Sequence, residues 1–268
     1  MKKFMGELLM TSTLLLGAVM PVVAHADENR TGTTNTTATF KANTTVVVPV
    51  DPTDPTKPIE PGEGNNGAQS GSGLSLIYAP GKIGFSNSDG LEIDTVNQQD
   101  YFAEDGDGTK GTSLMDTSDG TGTGKVGLQV SDQRGTSAGW TLSVSATDGT
   151  VASGNAGMST LKGATYKLPI GTATSTGEGT DSGATARNGA VATGTEISVS
   201  GEASTASNGV LVGAASGIVL SAANSTGSGI TTDLMDPSNI LLRVPANAAS
   251  AKTYTGTLNW TLSDTPAS

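Results

Sequence analysis

The sequence predicts an all-β protein: an antiparallel β-sandwich or barrel-like double sheet with long Gly/Ser/Thr-rich loops, preceded by a disordered Pro-rich segment. Three observations carry this. Apolar residues recur at every second position in six separate stretches, the spacing that places them on one face of a strand. Beyond the first 26 residues, no stretch repeats apolar residues convincingly at helical spacing. Glycine makes up 37 of 268 residues, about twice the usual share, and threonine fills the polar strand positions.

The first 26 residues read as a secretory leader. Lys2 and Lys3 form a positive start, Leu8 to Val23 an apolar stretch, and Ala24-His25-Ala26 the small residues before a cut. The apolar run is short and interrupted by Thr11, Ser12, Thr13, Gly17 and Pro21, so cleavage is expected rather than a spanning helix. Asp27 rather than Cys follows the cut, so no lipid is expected there, and no membrane span is expected after cleavage. Removing the leader takes away Lys2, Lys3 and Glu7 and leaves 12 basic against 24 acidic residues, a formal charge of −12 on 242 residues.

Residues 27–72 form the second part. Few large apolar residues occur there, so disorder is the expectation. Pro49, Pro52, Pro55, Pro58 and Pro61 recur every third residue, the period of polyproline II, and predict a semi-rigid spacer about 37 Å long at about 3.1 Å per residue.

Residues 73–268 form the third part, a β domain. Its expected strands centre on Val126-Leu128-Val130, Trp140-Leu142-Val144, Tyr166-Leu168-Ile170, Ile197-Val199 and Ile240-Leu242-Val244, each bounded by turn residues. The longest is Tyr254 to Ser263. There Tyr254, Leu258, Trp260 and Leu262 share an inward face, while Thr255, Thr257, Asn259, Thr261 and Ser263 take the wet one.

Composition narrows the chemistry. Cysteine is absent and the one histidine, His25, leaves with the leader. No Ser-His-Asp or Cys-His constellation and no thiolate or imidazole metal site can form. Asp105-Gly106-Asp107-Gly108 resembles a fragment of a calcium loop, but its third ligand and closing glutamate are missing. No cofactor, no metal and no catalytic residue are expected. A carboxylate glycosidase remains formally open, although the acids sit mainly in mobile Gly-rich loops. The acidic balance also argues against nucleic acid as a partner, which calls for a basic patch.

Both tryptophans occur in one tripeptide, Trp140-Thr141-Leu142 and Trp260-Thr261-Leu262. Ahead of the first stand Asp132, Arg134 and Gly135; ahead of the second, Leu242-Arg243-Val244-Pro245 and Tyr254-Thr255-Gly256-Thr257-Leu258. This pattern resembles the WxL domain family of Gram-positive surface proteins, over roughly Leu74 to the end of the chain. The resemblance implies non-covalent attachment to peptidoglycan or another wall polymer, display at the cell surface, and other wall-anchored surface proteins as partners. No Leu-Pro-x-Thr-Gly sorting signal is present. An adhesin or host-ligand module is the alternative, with specificity in the polar loops Gly171 to Thr195 and Glu202 to Gly209. The tryptophans themselves read either as core or as exposed stacking platforms for wall sugars; core is favoured, most of all for Trp260. Asp132 and Arg134 either pair or stand as solvated turn residues, the second being preferred.

Overall fold

The computed structural model describes residues 34–60, 68, 70–85, 90–103, 111–146, 161, 163–169, 171–175, 191–193, 197–200, 205–206, 209–212 and 217–266. The chain separates into two units, Met1–Phe40 and Lys41–Ser268. In the first, residues 34–40 carry no regular structure. The second is built from strands in three sheets, with one 3-10 turn, Pro237–Asn239, and no α-helix among the described residues. No helix there is long and apolar enough to cross a membrane.

The first sheet orders β1 (Leu74–Tyr78), β3 (Val126–Asp132), β12 (Gly229–Met235) and β6 (Thr172–Ser175). The second orders β2 (Gln99–Phe102), β13 (Leu241–Val244), β5 (Thr165–Leu168), β8 (Ile197–Ser200), β10 (Gly209–Val212) and β9 (Thr205–Ala206). The third orders β14 (Leu258–Ser263), β4 (Trp140–Ala146), β11 (Gly217–Ala222) and β7 (Val191–Thr193). Among the described residues every strand pairing is antiparallel except that of β8 with β10. The chain crosses from the first sheet to the third between β3 and β4 and returns between β11 and β12, as a sandwich requires. The largest core cluster joins Val126, Leu128 and Val130 of β3 to Trp140, Leu142 and Val144 of β4 and to Val219, Leu220 and Ala222 of β11. The all-β, sandwich-like class read from the sequence is therefore what the chain adopts.

Two parts differ from expectation. The alternation Val126-Leu128-Val130 predicts one wet face, yet all seven residues of β3 are buried. What covers the second face is the expected spacer. The Pro-rich stretch does not run out as polyproline II: Val50 bridges Pro58, Asp51 N–H donates to Lys57 O at 2.9 Å, and Ile59 N–H donates to Pro49 O at 3.0 Å. Its two Asp-Pro-Thr triplets explain the reversal. The Asp51 carboxylate accepts from Thr53 N–H at 2.7 Å, and the Asp54 carboxylate accepts from Thr56 N–H at 3.3 Å, each making a local turn that competes with an extended chain. The strap formed by residues 43–60 lies over β3, where Gln129 completes it. The Gln129 amide donates to Val50 O at 2.7 Å and accepts from Val50 N–H at 3.0 Å, as a neighbouring strand would. Ile59, Tyr78 and Met115 close a small apolar cluster on this side.

The long polar loops also contain strands: β6 and β7 fall within Gly171 to Thr195, and β9 within Glu202 to Gly209. Residues 176–190, 194–195, 202–204 and 207–208 of these stretches, Ile170 and the calcium-loop-like residues 105–108 lie outside the described residues.

Candidate functional site

The two Trp-Thr-Leu tripeptides lie on adjacent strands. In the β14–β4 ladder Leu262 pairs with Leu142, Trp260 with Val144, Thr261 with Ser143 and Ser263 with Thr141. Residues directly opposite share a face. Trp140, Leu142, Val144, Trp260 and Leu262 thus form one apolar stripe turned toward the core. Trp260 stands opposite Val144, four residues along β4 from Trp140, so the tryptophans flank a central leucine pair about 13 Å apart at roughly 3.3 Å per residue.

Burial runs in the reverse order to the one expected. Trp140 is wholly buried, 0% exposed, and its Nε1–H donates to Gly227 O at 3.0 Å. Two glycines make that fit possible. Gly139 and Gly227 have φ of 76°, the left-handed region. A Cβ on Gly227 would stand 2.3 Å from Ala222 Cβ and 2.6 Å from Trp140 Nε1, and one on Gly139 would stand 2.5 Å from Ala222 O. Trp260 packs against the same core but is only half-buried, because β14 is the edge strand of its sheet. Tyr254 lies outside β14, which begins at Leu258; half-buried, its hydroxyl meets Ser250 N at 3.0 Å and Ser250 Oγ at 2.9 Å beside the smaller Leu242–Val244 cluster.

Asp132 and Arg134 form an ion pair rather than solvated turn residues. Arg134 Nε donates to Asp132 Oδ1 at 2.9 Å and Nη2 to Oδ2 at 2.8 Å, while Nη2 also donates to Gly139 O at 2.8 Å. With side chains 1% and 20% exposed, the pair lies largely out of water and fixes the turn that carries the chain from β3 to the first tryptophan. The Asp132 hydrogen bonds raise the guanidinium's affinity for its proton above the ordinary value. The chain end is tied to the same place, since Thr141 Oγ1 donates to Thr265 O at 2.7 Å.

The opposite face of the ladder is different in kind. Thr141, Ser143 and Ser145 of β4 and Asn259, Thr261 and Ser263 of β14 are its members, with Asn259 and Thr261 exposed and the others half-buried. Exposed Ile218 of β11 pairs with Ser143. None of these side chains is charged, in a chain of net charge −11. Hydroxyls and an amide in regular rows can both donate and accept, which suits a ligand covered in hydroxyl groups. No group of three or more His, Asp or Glu side chains converges among the described residues. Sequence reading named the tripeptides, but not Gly139 and Gly227, whose need for positive φ has no local signal beyond glycine itself.

A family model described as "WxL domain surface cell wall-binding" matches residues 27–266. No curated protein and no solved structure matches the chain.

Proposed function

Because the chain belongs to the WxL family of surface cell wall-binding domains, we propose that it binds peptidoglycan without a covalent link and is held at the Gram-positive surface by that contact. The single observation that supports this most directly is the division of labour within each tripeptide. Trp140, Leu142, Trp260 and Leu262 turn inward and build the sheet, while Thr141 and Thr261 turn outward into an uncharged hydroxyl and amide face. A glycan strand offers hydroxyls for those rows and apolar ring faces for Ile218. An anionic wall would repel the acidic remainder of the chain, so an uncharged face is where approach is least opposed. In this reading the tryptophans are positioning residues, and Asp132, Arg134 and Tyr254 hold the frame around them. Other wall-anchored surface proteins are further partners of the displayed chain.

The same reading makes the protein a binder and not an enzyme. The exported chain has neither Cys nor His, and a general base would have to be a carboxylate. Purified protein should release no reducing sugar or peptide from wall material.

Sedimentation with purified peptidoglycan tests the proposal. The wild-type chain should co-sediment, and the double substitution Asn259→Ala with Thr261→Ala should lower affinity about tenfold with melting unchanged. Equal binding by the double variant would remove this face as the contact. A wild-type chain that ignores peptidoglycan but binds host matrix protein would favour the adhesin reading.

A further inference from the structure

The third sheet ends on a strand whose second side has no strand partner among the described residues. β14 pairs with β4 through Leu258 to Ser263 and with no other strand there. Thr261 O accepts from Ser143 Oγ of β4 at 3.3 Å, so Thr261 turns its backbone toward β4. Backbone groups point to opposite sides at successive residues, so Leu258, Trp260 and Leu262 turn theirs toward the outer edge.

Folds ordinarily guard such an edge with a very short strand, a bulge, a proline or a charge. The other edge strands follow that rule. β2, β6, β7 and β9 have four, four, three and two residues, and β1 has a register shift between Leu76 and Tyr78. β14 is longer than any of them, keeps an unbroken register with β4, and contains neither a charge nor a proline. It is also where the core is left incomplete: Trp140 on the interior strand is 0% exposed, whereas Trp260 is only half-buried.

We propose that this edge is an interface at which a second copy of the chain adds its own β14, antiparallel, about a twofold axis that passes between the two Trp260 residues perpendicular to the sheet. The strand is self-complementary about that point. Leu258 of each copy stands opposite Leu262 of the other, Asn259 opposite Thr261, and Trp260 opposite Trp260. Such an axis keeps the inner face inward in both copies. The leucines and tryptophans then extend the apolar stripe and cover the exposed part of each Trp260 ring, while Asn259 and Thr261 extend the uncharged outer face. Moving the axis to Thr261 would instead set Leu258 opposite the charged Asp264. Charge points to the same strand: a chain of net charge −11 repels its own copy, and an edge without charges is where approach is least opposed. One strand pair is a small contact, so the dimer belongs to the weak, concentration-dependent class. The proposal stands without the wall-binding reading, and its test uses no wall material.

The experiment is sedimentation velocity of the exported chain, residues 27–268, from about one to several hundred micromolar. A monomer–dimer equilibrium is expected, with the dimer gaining as sodium chloride rises to about 0.5 M, because salt screens the repulsion. Asn259→Lys with Thr261→Lys sets like charges directly opposite one another across the axis and should weaken the dimer about tenfold or more. Asn259→Glu with Thr261→Lys sets opposite charges there and should restore it. Both positions are exposed, and recovery in the second variant separates lost pairing from lost folding, which melting curves of both variants also read. A wild-type chain that stays monomeric throughout, or that grows beyond a dimer, would overturn the proposal. So would undiminished pairing in the double-lysine variant or no recovery in the charge-swapped one.

Discussion

Single side chains set the largest local energies, and Trp140 is the clearest case. Its ring is enclosed, its N–H is satisfied by Gly227, and Ala222 sits opposite on β11. Trp140→Ala should cost about 3 to 5 kcal/mol, and Trp260→Ala about 1 to 3 because the edge leaves part of that ring wet. Chemical denaturation of the two variants checks the order, and a larger loss at Trp260 would contradict it. Two aspartates pull the pH dependence in opposite directions. At Asp51 burial favours the neutral acid, but donors from Ser118 and Thr53 outweigh it and hold the carboxyl well below the usual range. That contribution is present above about pH 4 and drains away as pH falls below it. Asp233 has the reverse sign. With its carboxyl raised by burial from 3.8 to about 6, the folded state holds the extra proton between those values, and stability declines as pH rises through that window, by up to roughly 3 kcal/mol. Asp233→Asn should therefore flatten the decline between about pH 4 and pH 6 and leave the acid limb in place. Melting curves across pH 3 to 8 read both limbs.

At the scale of elements, the strap and β3 depend on each other. Gln129 stands between Val50 and Thr232, donating to Thr232 Oγ1 at 3.0 Å as well as to the strap. Gln129→Ala would leave the Val50 N–H and C=O buried without partners, a loss of about 2 to 4 kcal/mol. Limited proteolysis should protect the chain from about Thr44 through Ile59, and a chain beginning at residue 73 should melt well below one beginning at residue 27. Cleavage at the Asp51–Thr56 turns as fast as in a denatured chain would show that the strap does not hold. The proline period alone reads as a spacer; the Asp-Pro-Thr triplet, occurring twice, is the sequence signal for the turns that override it.

For the whole molecule, pairing is overwhelmingly long-range. Leu258–Ser263 pairs with Thr141–Ala146, and Gly229–Met235 with Val126–Asp132, both across about a hundred residues of chain. Loops of that size must close before the sheets can reward them, so refolding should be slow for the chain length, milliseconds to seconds or longer by stopped-flow fluorescence of the two tryptophans. Attachment should also resist salt. A chain of net charge −11 meets an anionic wall as a repelled partner, and screening relieves repulsion instead of breaking a bond. Retention on wall fragments in 1 M sodium chloride is the expected result; release would mean that a basic patch does the holding.

By itself the sequence determined the fold class, because period-two alternation has only one structural reading, and it determined the family through two tripeptides whose order and flanking residues are specific. It also located strands such as Trp140–Ala146 almost to the residue. Only the tertiary structure decided which tryptophan is enclosed, since burial depends on whether a strand is central or at an edge and alternation is the same in both. It alone decided that β3 is covered on its second face, that Asp132 and Arg134 meet, and that Asp233 is buried. Each of these turns on what lies across the sheet from a residue, and partners about a hundred positions away leave no local trace in the chain.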